Sequence, residues 1–385
     1  MSNSSKNFAV TFSWIATILL NGLACAQLNT SVIKITRTDT LIYDKSNIFS
    51  SPGSYLISQP NTIEEVKQVI RYAQSAHKRI IIRGNGHSAN GSSIPNGDEI
   101  VVLSANFSKI TLLSDTVAEV GSGVIMDDFR KYLNKRGYEP IVINEGGKGP
   151  TLGGYISAGG IGDDGKPGFW ETVISVTLIN GKGEEVILSR KDNNFKWLFG
   201  SMGQLGFIAK AIIKIRKTHT NEVYQNSNEE NIVTLGKKFY WYPMFFSVSE
   251  MGYYQKKMER LIADIKNRCH LSDSVKVMFN KGGLRIEFQE FNPPLLYPDT
   301  GSFIVLGIKN LLPAGEDNFN VKINCVRSNA DEFIRSNKIH TYYQVSYYRQ
   351  SKEKLLEYLG PEVYSQFKEI KARFDPYNVF GTKIF

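Results

Sequence analysis

A run of β-forming residues, Ile80 to Arg83, leads directly into the glycine-rich sequence GNGHS at residues 84–88. Ahead of this run, the apolar residues of segment 59–77 recur at helical spacing and form one stripe, which predicts an amphipathic helix. A helix that leads into a strand and then into a glycine loop is an α/β arrangement. It places His87, one of only five histidines in the chain, at the end of a strand.

The rest of the chain contains both helical and strand patterns. Its 385 residues are enough for two domains, and a composition of 42% hydrophobic and 22% charged residues is that of an ordinary globular protein. A polar stretch at residues 217–230 predicts a linker, where we place the domain boundary. In the first half the patterns predict strands at 100–103, 117–120, 173–179, 185–188 and 207–215 and helices at 125–136 and 195–199. In the second half they predict a helix at 251–267 and strands at 274–279, 284–291, 303–308 and 320–326, which indicates an antiparallel sheet with helices.

The N-terminal residues 1–26 have the pattern of a secretory signal peptide. Lys6 precedes an apolar run at residues 8–20, and residues 24–26 (Ala-Cys-Ala) supply the small side chains of a cleavage site. Polar residues interrupt the apolar run, which falls short of the roughly 18 apolar residues that a membrane span needs. We therefore expect a periplasmic or secreted protein; an uncleaved membrane anchor and a lipoprotein anchor at Cys25 are the alternatives.

Cleavage after residue 26 would leave two cysteines, Cys269 and Cys325. An oxidising compartment allows a disulfide between them, and two unrelated buried thiols are the alternative. The sequence contains no CxxC, no HExxH and no histidine pair at ligand spacing, so we expect no metal site. The net charge of +9 is spread along the chain without a run of five basic residues, which predicts a cationic surface and argues against a nucleic-acid partner.

A second glycine-rich segment, TLGGYISAGGIG, occupies residues 151–162. Because glycine lets backbone N–H groups approach an anion closely, both glycine-rich segments are candidates for binding a pyrophosphate. A Rossmann-type loop is disfavoured, since the third glycine of a GxGxxG pattern that begins at Gly121 falls on Met126. The anion site is therefore expected on the loops at 84–91 and 151–162.

Several segments, taken in order, resemble one family. They are QPNTIEEVKQVIRYAQSAHKRIIIRGNGHSANG, GSGVIMDDFRKYLNKRGYEP with PTLGGYISAGGIG, LFGSMGQLGFIAKAIIKI and KARFDPYNVFGTKIF. The family is the FAD-linked oxidases of the vanillyl-alcohol oxidase superfamily, which have a PCMH-type FAD-binding domain, and within it the cytokinin dehydrogenase-like members. The resemblance implies an α+β fold with a two-subdomain FAD-binding domain at 27–217 and a smaller α+β substrate domain with an antiparallel sheet at 218–369. Residues 370–385 would form a tail that returns to the FAD-binding domain.

The resemblance implies FAD as the cofactor. The histidine of the family's GHS motif is commonly bonded to the 8α-methyl carbon of the flavin, so His87 would be the attachment point, with noncovalent FAD as the alternative. The other cofactor-binding residues that the resemblance implies are Arg83, Gly84, Asn85, Gly86, Ser88, Asn90, Thr151, Gly153, Gly154, Ser157, Gly159, Gly160 and Gly162.

The resemblance also suggests catalytic groups. Cytokinin dehydrogenases carry a proton-accepting aspartate at the position of Gly146, so the neighbouring Glu145 is our candidate for the general base, with a solvated turn residue as the alternative. Arg285 and Glu287 alternate on one face of a predicted strand. Comparable charged residues line the pocket in alditol and aldonolactone oxidases, and the alternative is that this face meets solvent.

These patterns predict an exported FAD-linked oxidase or dehydrogenase. It would oxidise a CH–NH or CH–OH group of a small molecule by hydride transfer to flavin N5, with dioxygen or another electron acceptor. The small substrate domain and the missing aspartate favour an alternative, a sugar-alcohol or aldonolactone oxidase. A flavin-binding exported protein without turnover is the other alternative. No stable membrane span is expected.

Overall fold

The computed structural model describes residues 33–142, 149–161, 168–218, 237–271, 276–279, 284–286, 292–296, 303–313, 318–341 and 352–381. From Lys34 onward the chain packs as one unit. Of the predicted linker, only residues 217 and 218 are described: residue 217 ends a strand, and residue 218 follows it without regular structure. Residues 219–230 lie outside the described part. The predicted signal peptide lies outside it as well.

The first sheet carries the predicted helix, strand and loop. Its strands are β1 (Ile35–Thr38), β2 (Tyr55–Ser58), β3 (Ile80–Arg83) and β4 (Ile100–Leu103), in the order β1-β2-β4-β3. Strands β2, β4 and β3 run parallel, and β1 is antiparallel to β2. Helix α1 (Ile63–Ser75) connects β2 to β3; Thr62 caps it, and Val66, Val69, Ile70 and Ala73 bury the predicted stripe.

Within the described residues, the second sheet has six antiparallel strands. They are β5 (Ile110–Ser114), β6 (Val117–Gly121), β7 (Tyr138–Pro140), β8 (Val173–Ile179), β9 (Glu185–Ser189) and β10 (Phe207–Lys217). The order is β5-β6-β10-β8-β9, and β7 pairs with the end of β10. Helices α2 (Met126–Asn134) and α3 (Leu152–Ala158) pack their apolar residues into the same core as β6, β8 and β10.

The third sheet belongs to the second half of the chain. Its strands are β11 (Lys237–Ser247), β12 (Lys276–Phe279), β13 (Leu284–Ile286), β14 (Phe303–Pro313) and β15 (His340–Thr341), with the antiparallel order β12-β14-β11-β15 and β13 paired to β14. Helices α4 (Met251–Arg268) and α5 (Phe319–Asn337) build a second hydrophobic core with residues of β11. Helix and antiparallel sheet together confirm the predicted α+β class.

One predicted element is wrong. Residues 320–326 were expected to form a strand, but they form the first two turns of α5. In this helix Phe319, Ile323, Val326 and Ala330 are buried, at spacings of four, three and four residues. The helical stripe over this longer window outweighs the local alternation that suggested a strand.

The alternatives for the two cysteines are resolved in favour of the pair. Cys269, directly after α4, forms a disulfide with Cys325 of α5, and their Cα atoms are 5.7 Å apart. The bond therefore links the two helices that cover one face of the third sheet.

The last helix, α6 (Lys352–Phe374), is interrupted at Gly360 (φ 74°), directly before Pro361. Residues after α6 run back to the first sheet, where Phe380 forms a parallel bridge with Ile80 of β3. The N–H of Ile80 donates to the carbonyl of Val379 (2.7 Å), and the N–H of Gly381 donates to the carbonyl of Ile80 (3.0 Å). The C-terminal segment therefore occupies the edge of β3 that β4 does not cover.

Neither a membrane-spanning helix nor a cluster of metal-ligating side chains occurs among the described residues. No helix among them has the length and apolar character needed to cross a membrane. The same residues contain no group of three or more histidine, cysteine, aspartate or glutamate side chains placed to hold a metal ion.

Candidate functional site

The first glycine-rich loop, residues 84–91, starts where β3 ends. The tail and β4 flank β3 on its two edges, so the point at which the loop begins is fixed from both sides. Gly86 and Gly91 adopt positive φ (67° and 76°), a conformation that glycine adopts without strain. The loop therefore turns sharply away from the sheet at residues whose identity permits it.

The backbone of this loop presents unpaired donors. Within the described residues, the N–H groups of residues 85–89 donate to no acceptor. Successive free N–H groups in a glycine turn form a concave site for an anion. A pyrophosphate is such an anion, so the loop fits the cofactor that the sequence predicts.

Arg83 lies beneath the loop. Its guanidinium donates to the carbonyl of Tyr43 (2.8 Å) and to the hydroxyl of Ser93 (3.3 Å). A Cβ atom on Gly86 would lie 2.3 Å from this guanidinium, so a larger residue at this position would have to displace it. Arg83 was predicted to bind the cofactor, and in the structure its side chain supports the loop through protein acceptors.

Residues 43–46 lie against the same loop, and the sequence motifs gave no signal for them. The buried carboxylate of Asp44 accepts from the N–H of Gly91 (2.9 Å) and from the N–H (3.1 Å) and hydroxyl (2.5 Å) of Ser46. Burial raises the pKa of Asp44 to about 6, although these hydrogen bonds oppose the shift. The N–H of Lys45 donates to the carbonyl of Ser88 (2.9 Å).

His87 is half-buried, and its Nε2 lies 3.2 Å from Nζ of Lys45. Burial of the imidazole, and secondarily the charge of Lys45, lower the pKa of His87 to about 3. The ring is therefore neutral at physiological pH. A neutral imidazole keeps a lone pair, which a nucleophile or a hydrogen-bond acceptor requires.

Ser88 and Asn90 complete the first loop. The hydroxyl of Ser88 pairs with that of Ser93 (2.7 Å), and Asn90 is buried and accepts from the N–H of Ser92 (3.1 Å). Both side chains make hydrogen bonds that hold the loop closed on itself.

The second glycine-rich segment forms the short helix α3 and meets the first loop. Thr151 caps α3 by accepting from the N–H of Gly154 (3.3 Å). A Cβ atom on Gly84 would lie 2.2 Å from Oγ1 of Thr151, and Nδ2 of Asn85 donates to the carbonyl of Gly149 (3.1 Å). The structure thus brings together the two glycine-rich segments that the sequence singled out.

The N–H groups at the start of α3 are mostly occupied. The N–H of Gly153 donates to the carbonyl of Ser122 (2.9 Å). The side chain of Ser157 is also occupied, because its hydroxyl donates to the carbonyl of Gly154 (3.3 Å). The first loop is therefore the stronger anion site, and α3 contributes mainly close packing.

The helix ends at Gly159, whose φ is 69°. A Cβ atom there would lie 2.3 Å from Leu296, a buried residue of the second half of the chain, and one on Gly160 would collide with the ring of Tyr155. These glycines let a segment of the second half pack directly on the second glycine-rich segment. Gly162 lies outside the described residues.

Of the three predicted catalytic residues, the structure describes only Arg285. Glu145 and Glu287 lie outside the described residues. Arg285 lies in β13, where its backbone pairs with Ile304 of β14. Their catalytic roles stay predictions.

Comparison with known proteins agrees with this geometry. Residues 55–189 match a family described as FAD binding domain. The chain is 26% identical over 228 residues to cytokinin dehydrogenase 2 of Arabidopsis thaliana, covering 57% of this chain and 41% of that protein. It is 27% identical over 182 residues to D-arabinono-1,4-lactone oxidase of Candida glabrata, covering 44% of this chain and 33% of that protein.

A solved structure extends the likeness to nearly the whole chain. The fold resembles that of 6-hydroxy-D-nicotine oxidase from Arthrobacter nicotinovorans, with a TM-score of 0.66, 16% identity, and coverage of 92% of this chain and 98% of that chain. The matches to the two curated relatives span about two fifths and one third of those proteins' lengths. The predicted FAD-binding domain is confirmed at this level: residues 55–189 match an FAD binding domain, in a chain that has the fold of this oxidase structure.

Proposed function

We propose that the chain is an exported FAD-linked oxidase or dehydrogenase that oxidises a CH–NH or CH–OH group of a small molecule, in the manner of cytokinin dehydrogenases. One observation carries the proposal: the matched FAD binding domain contains both glycine-rich segments, and these segments meet at Gly84 and Thr151. FAD, when bound, supplies the hydride acceptor at N5.

The protein's own residues would bind and orient this cofactor. The free N–H groups of residues 85–89 would hold the pyrophosphate, and neutral His87 would form the bond to the flavin's 8α carbon. Glu145 would accept the substrate's proton. Arg285 and Glu287 would position the substrate on the sheet of the second half.

A second candidate is a sugar-alcohol or aldonolactone oxidase. The matches to D-arabinono-1,4-lactone oxidases of four organisms support it, with identities of 26–29%. A flavin-binding protein without turnover is the third candidate, which the missing aspartate at Gly146 supports. The electron acceptor is dioxygen or another oxidant in all the enzymatic versions.

Export rests on the predicted signal peptide of residues 1–26. The disulfide between Cys269 and Cys325 supports it, because disulfides form and persist in oxidising compartments and are rare in the cytosol. Mass spectrometry of the native protein tests this. A chain that starts at residue 27 is expected, and an intact N-terminus on a cytosolic chain would contradict export.

Spectroscopy of the purified mature protein tests the cofactor. Flavin absorbance in the native protein is expected, and the fluorescence should remain with the chain after acid precipitation. In His87→Ala the flavin should separate from the precipitated chain. A colourless protein that also fails to take up added FAD would contradict the proposed function.

Anaerobic mixing with substrates then separates the three candidates. Amines that bleach the flavin absorbance would support the cytokinin dehydrogenase-like reaction, and bleaching by polyols or aldonolactones would support the second candidate. Absence of bleaching with every compound would support the third.

A further inference from the structure

We propose that Lys45 is a positioning residue for His87: it holds Nε2 of the imidazole, so that Nδ1 is the nitrogen that bonds the cofactor. The inference rests on the proposed function, because it assigns a role within the FAD site. Lys45 lies outside the segment that matches the FAD binding domain, and no sequence motif singled it out.

Lys45 is held in place by its neighbours in the chain. The carbonyl of Tyr43 accepts from Arg83, the carboxylate of Asp44 accepts from the N–H of Gly91, and the N–H of Lys45 donates to Ser88. Three consecutive residues therefore bind the start, the end and the middle of one loop. These contacts fix the position of the Lys45 Cα atom relative to His87. A lysine on a mobile surface loop would not be held in this way.

The contact distinguishes the two ring nitrogens. Nζ of Lys45 lies 3.2 Å from Nε2, and an ammonium group can only donate, so Nε2 is the acceptor and the proton of the neutral ring is on Nδ1. Among the described residues, Nδ1 makes no hydrogen bond. The lone pair on Nε2 is thus occupied by Lys45, and Nδ1, which must give up its proton to form a bond, is the nitrogen left for another partner.

The positive charge of Lys45 also opposes protonation of the ring, in the same direction as burial. Removing the charge would leave the imidazole both less firmly oriented and easier to protonate. Both effects reduce the fraction of molecules in which Nδ1 can react.

The covalent step balances with dioxygen as the oxidant. One C–N bond forms between Nδ1 and the 8α carbon, while the N–H bond of Nδ1 and one C–H bond of the 8α-methyl group break. Two protons and two electrons leave, and dioxygen takes them as hydrogen peroxide.

The test compares full-length wild type, Lys45→Met, Lys45→Arg and His87→Ala. Flavin absorbance of the native protein measures total FAD, and flavin fluorescence of the denatured chain measures the covalent fraction. Lys182→Met is the matched control, because Lys182 lies on the β8–β9 hairpin with 43% of its side chain exposed. Peptide analysis of the wild type identifies the bonded nitrogen.

We expect Lys45→Met to bind FAD in the native state but to lose most of the covalent fraction, with partial rescue in Lys45→Arg and none of this loss in Lys182→Met. The wild-type flavopeptide should carry the Nδ1 linkage. An unchanged covalent fraction in Lys45→Met, or an Nε2 linkage, would overturn the inference. If Lys45→Met fails to fold, the covalent fraction of Lys45→Arg relative to wild type decides: an unchanged fraction together with an Nε2 linkage overturns the inference.

Two outcomes separate this inference from the proposed function. Wild type that binds FAD only noncovalently overturns the inference and leaves the oxidase function standing. Wild type that binds no FAD overturns both.

Discussion

Asp44 and His87 both contact the cluster formed by residues 43–46 and the first glycine-rich loop, and they respond to pH in opposite directions. The pKa of Asp44 is about 6 in the folded chain against an ordinary 3.8, so the folded state binds this proton more tightly than the unfolded state. Its contribution to stability is largest below about pH 4 and is lost as the pH rises towards 6. The pKa of His87 is about 3 against 6.5, so its contribution is present above about pH 6.5 and is lost as the pH falls towards 3. Between these limits the two effects oppose each other.

Asp44→Asn removes one of the two opposing groups. We expect the free energy of unfolding of the variant to rise more steeply than that of the wild type between about pH 4 and about pH 6, by on the order of 2 kcal/mol, because only His87 then titrates in this cluster. Urea unfolding at both pH values measures the difference. Parallel pH profiles for variant and wild type would contradict it.

Gly84 tests the contact between the two glycine-rich segments. In Gly84→Ala the new Cβ atom would lie 2.2 Å from Oγ1 of Thr151, so either the loop or the cap of α3 must move. We expect a loss of stability of about 1–3 kcal/mol and weaker FAD binding, measured by thermal unfolding and by FAD titration.

Gly53→Ala is the control for this substitution, because a Cβ atom at Gly53 has no neighbour within 4 Å. Equal effects of the two substitutions would show that the close approach at Gly84 is not the cause.

At the residue scale, the sequence patterns identified the glycine-rich loop but not the residues that hold it in place. Strand, glycines and histidine are consecutive, so a local pattern identifies them. Asp44 and Lys45 precede His87 by more than 40 positions, and neither belongs to a motif. Only the fold, through the bond between Lys45 and Ser88, brings them to the loop.

At the scale of elements, the predictions succeeded where periodicity was long and failed where a short window was misleading. The stripe of α1 is confirmed, whereas residues 320–326 alternate apolar and polar types and so indicated a strand. Val321 belongs to that alternation, but 67% of its surface is exposed on α5. The true stripe becomes visible only when the window extends to Ile334.

The disulfide is the covalent link between elements. It joins residues 56 positions apart, so removing it with the double substitution Cys269→Ser and Cys325→Ser frees a long loop in the unfolded chain. We expect a loss of about 2–4 kcal/mol of stability, measured by chemical unfolding. Wild type treated with reductant should unfold at the same denaturant concentration as the variant.

The double variant should retain its FAD absorbance under native conditions, because both cysteines belong to the core of the second half of the chain, which includes no residue of the glycine-rich segments. Identical unfolding midpoints for oxidised and reduced wild type would contradict the expected stabilisation.

At the scale of the whole molecule, a buried lysine connects the C-terminal segment to a distant turn of the chain. Nζ of Lys371 donates to the carboxylate of Asp375 (2.6 Å) and to the carbonyls of Gln204 (2.9 Å) and Phe380 (3.0 Å). Asp375 in turn accepts from the N–H groups of Val379 and Phe380. This cluster ties α6 and the tail to the turn before β10. Composition and periodicity do not reveal such a cluster, because its partners meet only in the folded chain.

Lys371→Met leaves the carboxylate of Asp375 buried without the ammonium group that it hydrogen-bonds, and the charge of Arg79 is then the cation that acts on it. We expect a loss of about 3–5 kcal/mol, measured by chemical unfolding, together with weaker FAD binding, because the tail pairs with the strand that leads into the glycine loop. Lys368→Met, on the exposed side of the same helix, is the control and should be close to wild type. A loss in Lys371→Met no greater than in Lys368→Met would contradict the role of the cluster.

The pairing of Phe380 with Ile80 has a consequence for the order in which the protein acquires its structure. The strand that carries the glycine loop leaves the ribosome 300 residues before the segment that covers its edge. The N-terminal half of the chain therefore keeps one open strand edge until residues 379–381 have been made. An open edge of this kind can pair with another chain, so the late pairing protects the strand against association during synthesis.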